Sequence, residues 1–330
     1  MKRSVPLALM LACAAASAAP AASYGPRLEG FDYPHPVQRF AFDSQRQALE
    51  MAYIDVRPER PNGRTVVLLH GKNFCAATWE GTIEPLRRAG YRVLALDQVG
   101  FCKSSKLQAY QFSFGQLAAN THALLQQAGV DKPILVGHSM GAMLAMHYAL
   151  QYPGELERLV LVNPIGLEDW KAEGVPWRSI DAWYARELKT TADSIKQYQL
   201  NAYYGGHWKP EYDRWVQMQA GLYAGPGHEV VAWNQALTSD MVFNQPVVQD
   251  LPRLRVPTTL FIGQRDRTAI GKDLAPPPLA ARLGDYPQLG KRAAKAIPDA
   301  QLVEFDDLGH SPQVEAPERF NKALLEALAR

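Results

Sequence analysis

Short apolar runs recur along the chain and predict eight β-strands. The first two runs, at 37–42 and 48–56, lie close together and are separated by a short polar turn. The later runs consist mostly of β-branched and aliphatic residues, which is typical of strands that are covered on both faces. They lie at 65–69, 91–96, 134–136, 159–162, 257–262 and 301–305.

Apolar residues at helical spacing separate most of these strands. They predict helices at 78–89 and 112–128, a helix that runs from residue 140 through 149, and an amphipathic helix at 315–330. Because strands and helices alternate, the predicted fold class is α/β, with a mostly parallel sheet and helices on both of its faces.

The alternation stops between residues 165 and 245, where no buried β-run occurs. Four aromatic-rich segments there have helical character, at 177–188, 194–204, 212–223 and 229–241. Six of the seven tryptophans of the chain fall in this stretch. We therefore expect a helical layer inserted after the sixth strand. After the seventh strand, Pro276, Pro277 and Pro278 predict a stiff surface loop.

The first 19 residues have the pattern of a signal peptide. Lys2 and Arg3 precede an apolar stretch, which ends in small residues suited to a signal peptidase and is too short to span a membrane. The protein is therefore predicted to be exported, either to the periplasm or as a secreted protein. The residues before Cys13 partly resemble a lipobox, so the alternative is a lipoprotein anchored through Cys13.

Composition bounds the rest of the chain. Without Lys2 and Arg3, 33 basic residues balance 33 acidic ones, and this balance favours neither nucleic acid nor an anionic membrane as a partner. Hydrophobic residues make up 47% of the 330 residues, so the chain can bury a large core as one domain or two.

A candidate for chemistry lies where the fifth strand meets a helix. Gly137-His138-Ser139-Met140-Gly141 follows the run at 134–136 and precedes the helical pattern. A serine on a sharp turn between a buried strand and a helix projects its hydroxyl into a cleft, with the helix N-terminus behind it. The two glycines suit the turn because a Cβ at either position would collide with a neighbouring element. This context predicts a nucleophile elbow.

Further motifs follow other strands, and together they resemble the α/β-hydrolase superfamily over nearly the whole chain after the leader. The matching pieces, in the order of the family, are His70-Gly71, Asp97 with Gly100, the elbow at 137–141, Asp266, and Gly309-His310. The resemblance implies an α/β-hydrolase fold with a mostly parallel eight-stranded sheet. It also implies a core built from 24–163 and 246–330, and a helical cap at 164–245 inserted after the sixth strand.

The resemblance assigns a catalytic triad. Ser139 is expected to be the nucleophile, His310 the base that takes its proton, and Asp266 the acid that orients the imidazole. The chain order Ser, Asp, His agrees with this superfamily and with neither main serine-protease order. The alternatives for the acid are Asp273, Asp306 and Asp307, whereas Asp97 is expected to order its own loop.

Backbone amides are expected to stabilise the oxyanion that forms during acyl transfer. One amide is that of Met140, which the elbow positions, and the second comes from the loop after His70-Gly71. The family often has an apolar residue and a proline there, whereas this chain has Lys72 and Asn73. This departure leaves open which of the two contributes, and whether the Asn73 side chain helps.

Two cysteines remain after the leader, and in the family's strand order they follow neighbouring strands. Cys75 and Cys102 are therefore expected either to form a disulfide that braces the oxyanion loop or to remain two separate buried thiols. We expect no cofactor, and the spacing of His207 and His228 does not suggest a metal site. A subset of residues is expected to form an apolar substrate pocket: His138, Phe74, Trp183, Tyr203, Trp208 and Met218.

The leading functional prediction is an exported serine hydrolase that cleaves a small to medium, hydrophobic ester. A serine at the elbow points to acyl transfer, whereas dehalogenases and epoxide hydrolases on this fold use an aspartate. The alternatives on the same triad are a lactonase, a perhydrolase or a C–C bond hydrolase. A receptor that binds a small ligand without catalysis is a further alternative, although a binding pocket alone does not require the triad. The expected partner is a small ester or lactone, with no nucleic acid and no membrane unless Cys13 is lipidated.

Overall fold

The computed structural model describes residues 22–330, and an eight-stranded sheet runs through this part of the chain. The predicted signal peptide at 1–19 and Cys13 lie outside the described residues. The strands are β1 Val37–Ser44, β2 Gln47–Val56, β3 Thr65–Leu69, β4 Arg92–Leu96, β5 Ile134–His138, β6 Arg158–Val162, β7 Thr258–Gly263 and β8 Ala300–Phe305. Every predicted strand is present, with ends that differ by a few residues.

The spatial order of the strands is β1-β2-β4-β3-β5-β6-β7-β8. Strands β1 and β2 pair antiparallel, and β2 is antiparallel to β4, but every other pair is parallel. The predicted α/β-hydrolase fold with a mostly parallel eight-stranded sheet is confirmed. Because parallel strands end at the same edge, the loops after β3, β5, β7 and β8 meet there, where open α/β sheets bind ligands.

Helices cover the sheet on both faces and also fill the chain between β6 and β7. The α-helices of residues 22–330 are α1 Glu80–Arg88, α2 Phe114–Gln127, α3 Met140–Gln151, α4 Ile180–Glu187, α5 Ala192–Tyr198, α6 Asp213–Tyr223, α7 His228–Asn244, α8 Pro277–Ala280, α9 Tyr286–Ala296, α10 Pro312–Glu315 and α11 Pro317–Leu328.

Side chains of the buried strands alternate between two apolar clusters, one on each face of the sheet. In β3, Val66 and Leu68 pack with Phe320 of α11, whereas Val67 and Leu69 belong to the cluster that contains residues of α2, α3 and α9. Successive residues of a strand point to opposite faces, so a continuous apolar run is what a doubly covered strand requires.

The segment between β6 and β7 contains α4 to α7, which we call the inserted helices. Side chains cap the N-termini of two of these helices. Before α4, the Ser179 hydroxyl accepts from the Ala182 amide at 3.2 Å. Before α5, Thr191 and Ser194 form a capping box. A π-helical turn, Gln199–Tyr203, follows α5 directly. This turn is the part of the insertion that lies over the sheet edge where the loops after β3, β5, β7 and β8 meet.

The structure differs from the sequence predictions in two places after β7. Helix α9 was not predicted, and α8 begins within the proline run that was expected to be a surface loop. The predicted helix at 315–330 corresponds to α11, which begins at Pro317, and the separate short helix α10 precedes it; Pro312 and Pro317 each occupy a first helical position, where proline is tolerated. Within residues 22–330, the helices are all too short or too polar to span a membrane.

Candidate active site

Ser139 lies on the sharp turn between β5 and α3. Its backbone has φ +55° and ψ −116°, a conformation that L-residues rarely adopt. The flanking glycines permit it: a Cβ on Gly137 would lie 2.4 Å from the Gly141 carbonyl oxygen, and a Cβ on Gly141 would lie 2.3 Å from the Leu69 carbonyl oxygen. Only glycine fits either position, so the Gly-x-Ser-x-Gly spacing follows from steric contact.

His310 and Asp266 form a fully buried pair at the same edge of the sheet. The imidazole Nδ1 lies 2.6 Å from Asp266 Oδ2. The carboxylate is also held by the Asn163 side-chain amide, which donates to Oδ2 at 2.8 Å, and by the Thr268 backbone N–H, which donates to Oδ1 at 2.8 Å. These bonds orient the carboxylate toward the imidazole, as the acid of a triad requires.

The alternative acids lie elsewhere. Asp273 accepts from Arg178 and Arg186 of the insertion, and Asp306 and Asp307 are exposed on the turn after β8. Asp266 is therefore the carboxylate that the structure brings to His310.

The second ring nitrogen of His310, Nε2, is not held by a hydrogen bond within the described residues. Nε2 is buried, and within residues 22–330 it has no hydrogen-bond partner. No hydrogen bond joins it to the Ser139 hydroxyl in this part of the chain, although Ser139 lies next to His138, whose ring is centred 4.8 Å from that of His310. Catalytic hydrogen bonds are often long without substrate, so a free Nε2 beside the elbow agrees with a general base.

Tyr203 of the π-helical turn covers His310. Its ring centroid lies 4.4 Å from that of His310, and its carbonyl oxygen accepts the His310 backbone N–H at 2.7 Å. The Asn73 side-chain amide donates to the Tyr203 hydroxyl at 2.8 Å. Ser139 is only 4% exposed beneath this cover. The structure is therefore closed over Ser139.

Two backbone amides point to an oxyanion hole. Gly71 approaches the elbow so closely that a Cβ on it would lie 3.1 Å from Ser139 Cβ, and the Phe74 N–H donates to the Gly71 carbonyl to close a turn at 71–74. Within the described chain, the Lys72 and Met140 amides donate no hydrogen bond. Both are therefore free to donate to an oxyanion.

The Asn73 side chain is engaged by the insertion instead. Its amide nitrogen donates to Tyr203, and its Oδ1 accepts from Gln219 of α6 at 3.2 Å. The Asn73 side chain thus ties the turn to the inserted helices, and the Asn73 backbone N–H, like that of Lys72, donates no hydrogen bond within the described chain.

Cys75 and Cys102 are joined by a disulfide, with their Cα atoms 5.8 Å apart. The bridge connects the turn after β3 with the loop after β4. Asp97 orders the same region by accepting from the backbone N–H of Ala76 at 2.8 Å and of Lys103 at 3.1 Å. The two sulfur atoms and the Asp97 carboxylate lie within 4.8 Å of one another. Metal binding requires thiolates, which bonded sulfur atoms do not supply.

The predicted pocket residues divide into two groups. His138, Phe74 and Tyr203 lie around His310, and Met218 lines a cleft together with Phe74. Burial lowers the pKa of His138 well below its usual value, so this imidazole is neutral when it donates to the His310 carbonyl at 2.8 Å.

Trp183 and Trp208 lie outside that group, which corrects the predicted pocket. Trp183 is stacked against the Arg178 guanidinium at 4.3 Å. Trp208 packs on Tyr204 and donates to Asp213. Both indoles serve packing within the insertion, where cations and other rings cover them.

Glu315 is a functional candidate that the sequence analysis did not identify. Its carboxylate is buried and accepts from the Gly309 N–H at 2.9 and 3.0 Å and from the Ser311 N–H at 3.1 Å, so it holds both neighbours of His310. Burial raises the pKa of Glu315 to about 7, and the two backbone donors oppose this rise. The sequence feature that could have identified it is an acidic residue five positions after His310.

Asn163 was also missed. It follows β6 with φ +41°, a conformation that asparagine tolerates better than most residues, and its amide spans Asp266 and the Gly263 N–H. The Asn-Pro pair after a buried strand was the available signal.

Comparisons with known proteins agree with this geometry. The family model for the alpha/beta hydrolase fold matches residues 64–218. The crystal structure of a probable hydrolytic enzyme from Pseudomonas aeruginosa is 66% identical, covers 93% of this chain and 99% of its own, and superposes with a TM-score of 0.92. A 2-hydroxy-6-oxononadienedioate/2-hydroxy-6-oxononatrienedioate hydrolase from Comamonas testosteroni is 29% identical over 81% of this chain and 88% of its own length. A thermophilic esterase from Thermogutta terrifontis is 25% identical, covers 88% of this chain and 98% of its own, and has a TM-score of 0.65.

Proposed function

Because this chain belongs to the α/β-hydrolase superfamily, we propose that it is a serine hydrolase that cleaves a carboxylic ester through an acyl-enzyme on Ser139. The observation that carries the proposal is the buried pair of His310 and Asp266, 2.6 Å apart, at the edge where Ser139 lies on its strained turn. A binding pocket has no need of this arrangement, whereas acyl transfer does.

In the proposed reaction, the Ser139 hydroxyl attacks the ester carbonyl while His310 Nε2 takes its proton. Asp266 holds Nδ1 and stabilises the imidazolium that forms. The Met140 and Lys72 amides donate to the developing oxyanion. His310 then protonates the departing alcohol, and water, deprotonated by the same imidazole, releases the acid from Ser139.

The inserted helices are proposed to act as a cap. Tyr203 and Asn73 close the site over Ser139, which excludes bulk water and strengthens the electrostatic interactions inside. Substrate binding then requires this cover to move, and its many apolar residues favour a hydrophobic substrate.

A panel of p-nitrophenyl esters of graded chain length, assayed with the wild type and with Ser139→Ala, tests the proposal. We expect hydrolysis by the wild type, an optimum in chain length, and rates near the uncatalysed background for the variant. Equal rates for the two proteins would refute the role of Ser139. A folded wild type that binds esters without cleaving them would favour the receptor alternative.

The sequence relatives support a second candidate. The Comamonas testosteroni hydrolase acts on 2-hydroxy-6-oxo acids, as its name states, and these contain no ester, so their hydrolysis breaks a C–C bond beside the ketone. The same Ser139, His310 and Asp266 set could serve that reaction here. Loss of the absorbance of a 2-hydroxy-6-oxohexadienoate, with no ester hydrolysis in the panel, would favour this candidate.

We also propose export to an oxidising compartment. The amino-terminal pattern at 1–19 supports it, and so does the pairing of Cys75 with Cys102, because structural disulfides persist mainly outside the cytosol.

A further inference from the structure

The turn at 71–74 is anchored to the core through the Gly71 carbonyl. This oxygen accepts the Phe74 N–H at 3.0 Å, and ring nitrogen Nδ1 of His70 lies 2.8 Å from it. The other ring nitrogen of His70, Nε2, accepts the Gln98 N–H at 3.1 Å, so Nδ1 carries the proton and donates to Gly71. These bonds fix the beginning of the turn.

Lys72 lies in the middle of the turn, and its side chain reaches the inserted helices. Its ammonium donates to Gln235 Oε1 of α7 at 2.8 Å and lies 3.7 Å from Glu187 Oε1 at the end of α4. Among residues 22–330, Glu187 supplies the only carboxylate within 4.0 Å of this ammonium. One side chain therefore joins the turn to two inserted helices.

The ion pair of Lys72 and Glu187 is largely shielded from water. The Lys72 side chain is 16% exposed, and that of Glu187 is 14% exposed. Tyr223 of α6 also donates its hydroxyl to Glu187, which fixes the carboxylate. Removing one partner from such a pair leaves the other buried without compensation, so the two groups stay together while the inserted helices keep their position.

The backbone N–H of Lys72 is the proposed second oxyanion donor. It donates no hydrogen bond within the described chain, and the neighbouring Gly71 lies against Ser139. An oxyanion donor is effective only when it is directed at the position that the charged oxygen will occupy. Rotation of the Lys72 peptide plane changes the direction of this N–H, and the bonds of the Lys72 side chain oppose that rotation.

We propose, on the basis of the proposed function, that Lys72 is a positioning residue for the oxyanion hole. Its ammonium, held by Gln235 and Glu187, keeps the N–H of the turn directed at the oxyanion. The inserted helices then contribute to catalysis as well as covering the site. When they move away, the turn loses this restraint, and when they close over a bound substrate, the donor is aligned again.

The test compares Lys72→Met with the wild type on the p-nitrophenyl ester that the wild type hydrolyses fastest. Methionine keeps an unbranched apolar stem and the backbone N–H but removes the ammonium. Loss of a whole oxyanion donor lowers kcat by about 10²–10³-fold, so misalignment of one should lower it less, about tenfold, with little change in KM. Lys72→Arg should restore most of the rate. Lys322→Met, which removes an exposed lysine on α11, is the matched control and should keep the wild-type kcat.

A pair of inhibitors reports on the oxyanion itself. With hexyl trifluoromethyl ketone, Ser139 Oγ bonds to the carbonyl carbon, His310 takes the hydroxyl proton, and the carbonyl oxygen becomes a hemiketal oxyanion. Hexyl methyl ketone is much less electrophilic and serves as the ground-state analogue. Lys72→Met should bind the trifluoromethyl ketone about tenfold more weakly and the methyl ketone as well as the wild type does. An equal loss of affinity for both ketones would indicate a packing role and overturn the inference.

The partners of Lys72 separate positioning from a direct effect of its charge. Glu187→Gln and Gln235→Met loosen the ammonium, so each should lower kcat, and neither should lower it further in a Lys72→Met background. If the ammonium acted on the oxyanion by its charge alone, Glu187→Gln would remove an opposing charge and raise kcat instead. Such a rise, or wild-type kcat in Lys72→Met, would overturn the inference and leave the proposed function intact.

Two further outcomes are decisive. A loss of kcat in Lys72→Met that follows a loss of melting temperature, and that Lys72→Arg does not restore, would overturn the inference. If the wild type hydrolyses none of the esters in the panel, the proposed function fails, and the inference fails with it.

Discussion

Replacing Glu315 with glutamine should impair catalysis without impairing the fold. The carboxylate of Glu315 accepts the backbone N–H groups of Gly309 and Ser311, so it holds His310 from both sides. Glutamine keeps the size of the side chain and one acceptor oxygen, and Oε1 alone is within 3.1 Å of both donors. Glu315→Gln therefore removes mainly the charge of the acceptor.

The magnitude follows from the two donors. A hydrogen bond to a charged group contributes about 1 kcal/mol more than one to a neutral group, so the loop of His310 loses about 2 kcal/mol of restraint. If about half to two-thirds of that restraint is felt in the transition state, kcat falls about tenfold. KM should change little, because Glu315 is proposed to act through His310 and not on the substrate.

The dependence on pH separates this role from a purely structural one. With the pKa of Glu315 raised to about 7, this carboxylate gains a proton as the pH falls, and the wild type then loses the same charge that Glu315→Gln lacks. The ratio of wild-type kcat to that of Glu315→Gln should therefore be about ten above pH 8 and should fall toward one well below pH 7. The other groups that face Glu315 are unchanged in the variant. They are Asp266, Lys209, Tyr204 and the backbone N–H groups of Gly309 and Ser311.

The Glu315→Gln variant should be at least as stable as the wild type at high pH, although its kcat is lower. The pKa of Glu315 in the folded protein lies above its ordinary value of 4.5, so its contribution to stability is fully present below about pH 4.5 and is lost as the pH rises through about 7. Keeping the carboxylate ionised at pH 8 costs at most about 3 kcal/mol. Glu315→Gln should therefore melt at or above the wild-type temperature at pH 8 although it is slower.

Stopped-flow and steady-state assays from pH 5 to 9, with melting curves across the same range, measure both effects. Glu318→Gln, which neutralises an exposed acid on α11, is the matched control and should leave both unchanged. Wild-type kcat in Glu315→Gln, or a loss of kcat that merely follows a loss of melting temperature, would refute the reasoning.

Four shorter predictions follow from the same site. Ser139→Ala should lower kcat by about 10³-fold or more, since the nucleophile is absent, and a smaller loss would point to another nucleophile. Asn163→Ala removes a donor to Asp266 and should lower kcat about tenfold with little change in KM, so an unchanged pH–rate profile and rate would count against its orienting role. Thiol titration of the denatured protein should find Cys75 and Cys102 unreactive until reductant is added, and reduction should lower stability by about 2–4 kcal/mol; two free thiols without reductant would contradict the bridge. Tyr203→Phe releases Asn73 and should raise the labelling rate of Ser139 by an active-site phosphonate, an effect that Tyr53→Phe on β2, whose hydroxyl donates to Gln38, should not reproduce.

The parts of the site that local constraints determine were predictable from the sequence. The turn at Ser139 requires glycine on both sides because the neighbouring backbones approach within 2.4 Å, so a short motif specifies it. The eight strands were predictable for a similar reason, since burial on both faces demands continuous apolar runs. The positions of Asp266 and His310 then follow from strand order, because the carboxyl ends of parallel strands meet.

The parts that depend on contacts between distant segments were not predictable in this way. Whether Glu315 binds the backbone around His310 or faces solvent depends on how α10 turns back onto the loop, and no spacing in the sequence determines that. The side-chain contacts inside the insertion were unpredictable for the same reason. Trp183, Trp208 and Tyr203 are all aromatic residues of one aromatic-rich segment, so the sequence does not distinguish them. The path of the π-helical turn determines which ring contacts His310.

The bond from the backbone N–H of His310 to the carbonyl of Tyr203 ties the base to the cover above it. Any molecule that displaces Tyr203 on its way to Ser139 therefore also releases the histidine from its resting anchor. Movement of the proposed cap and release of the His310 backbone are therefore coupled through a single hydrogen bond.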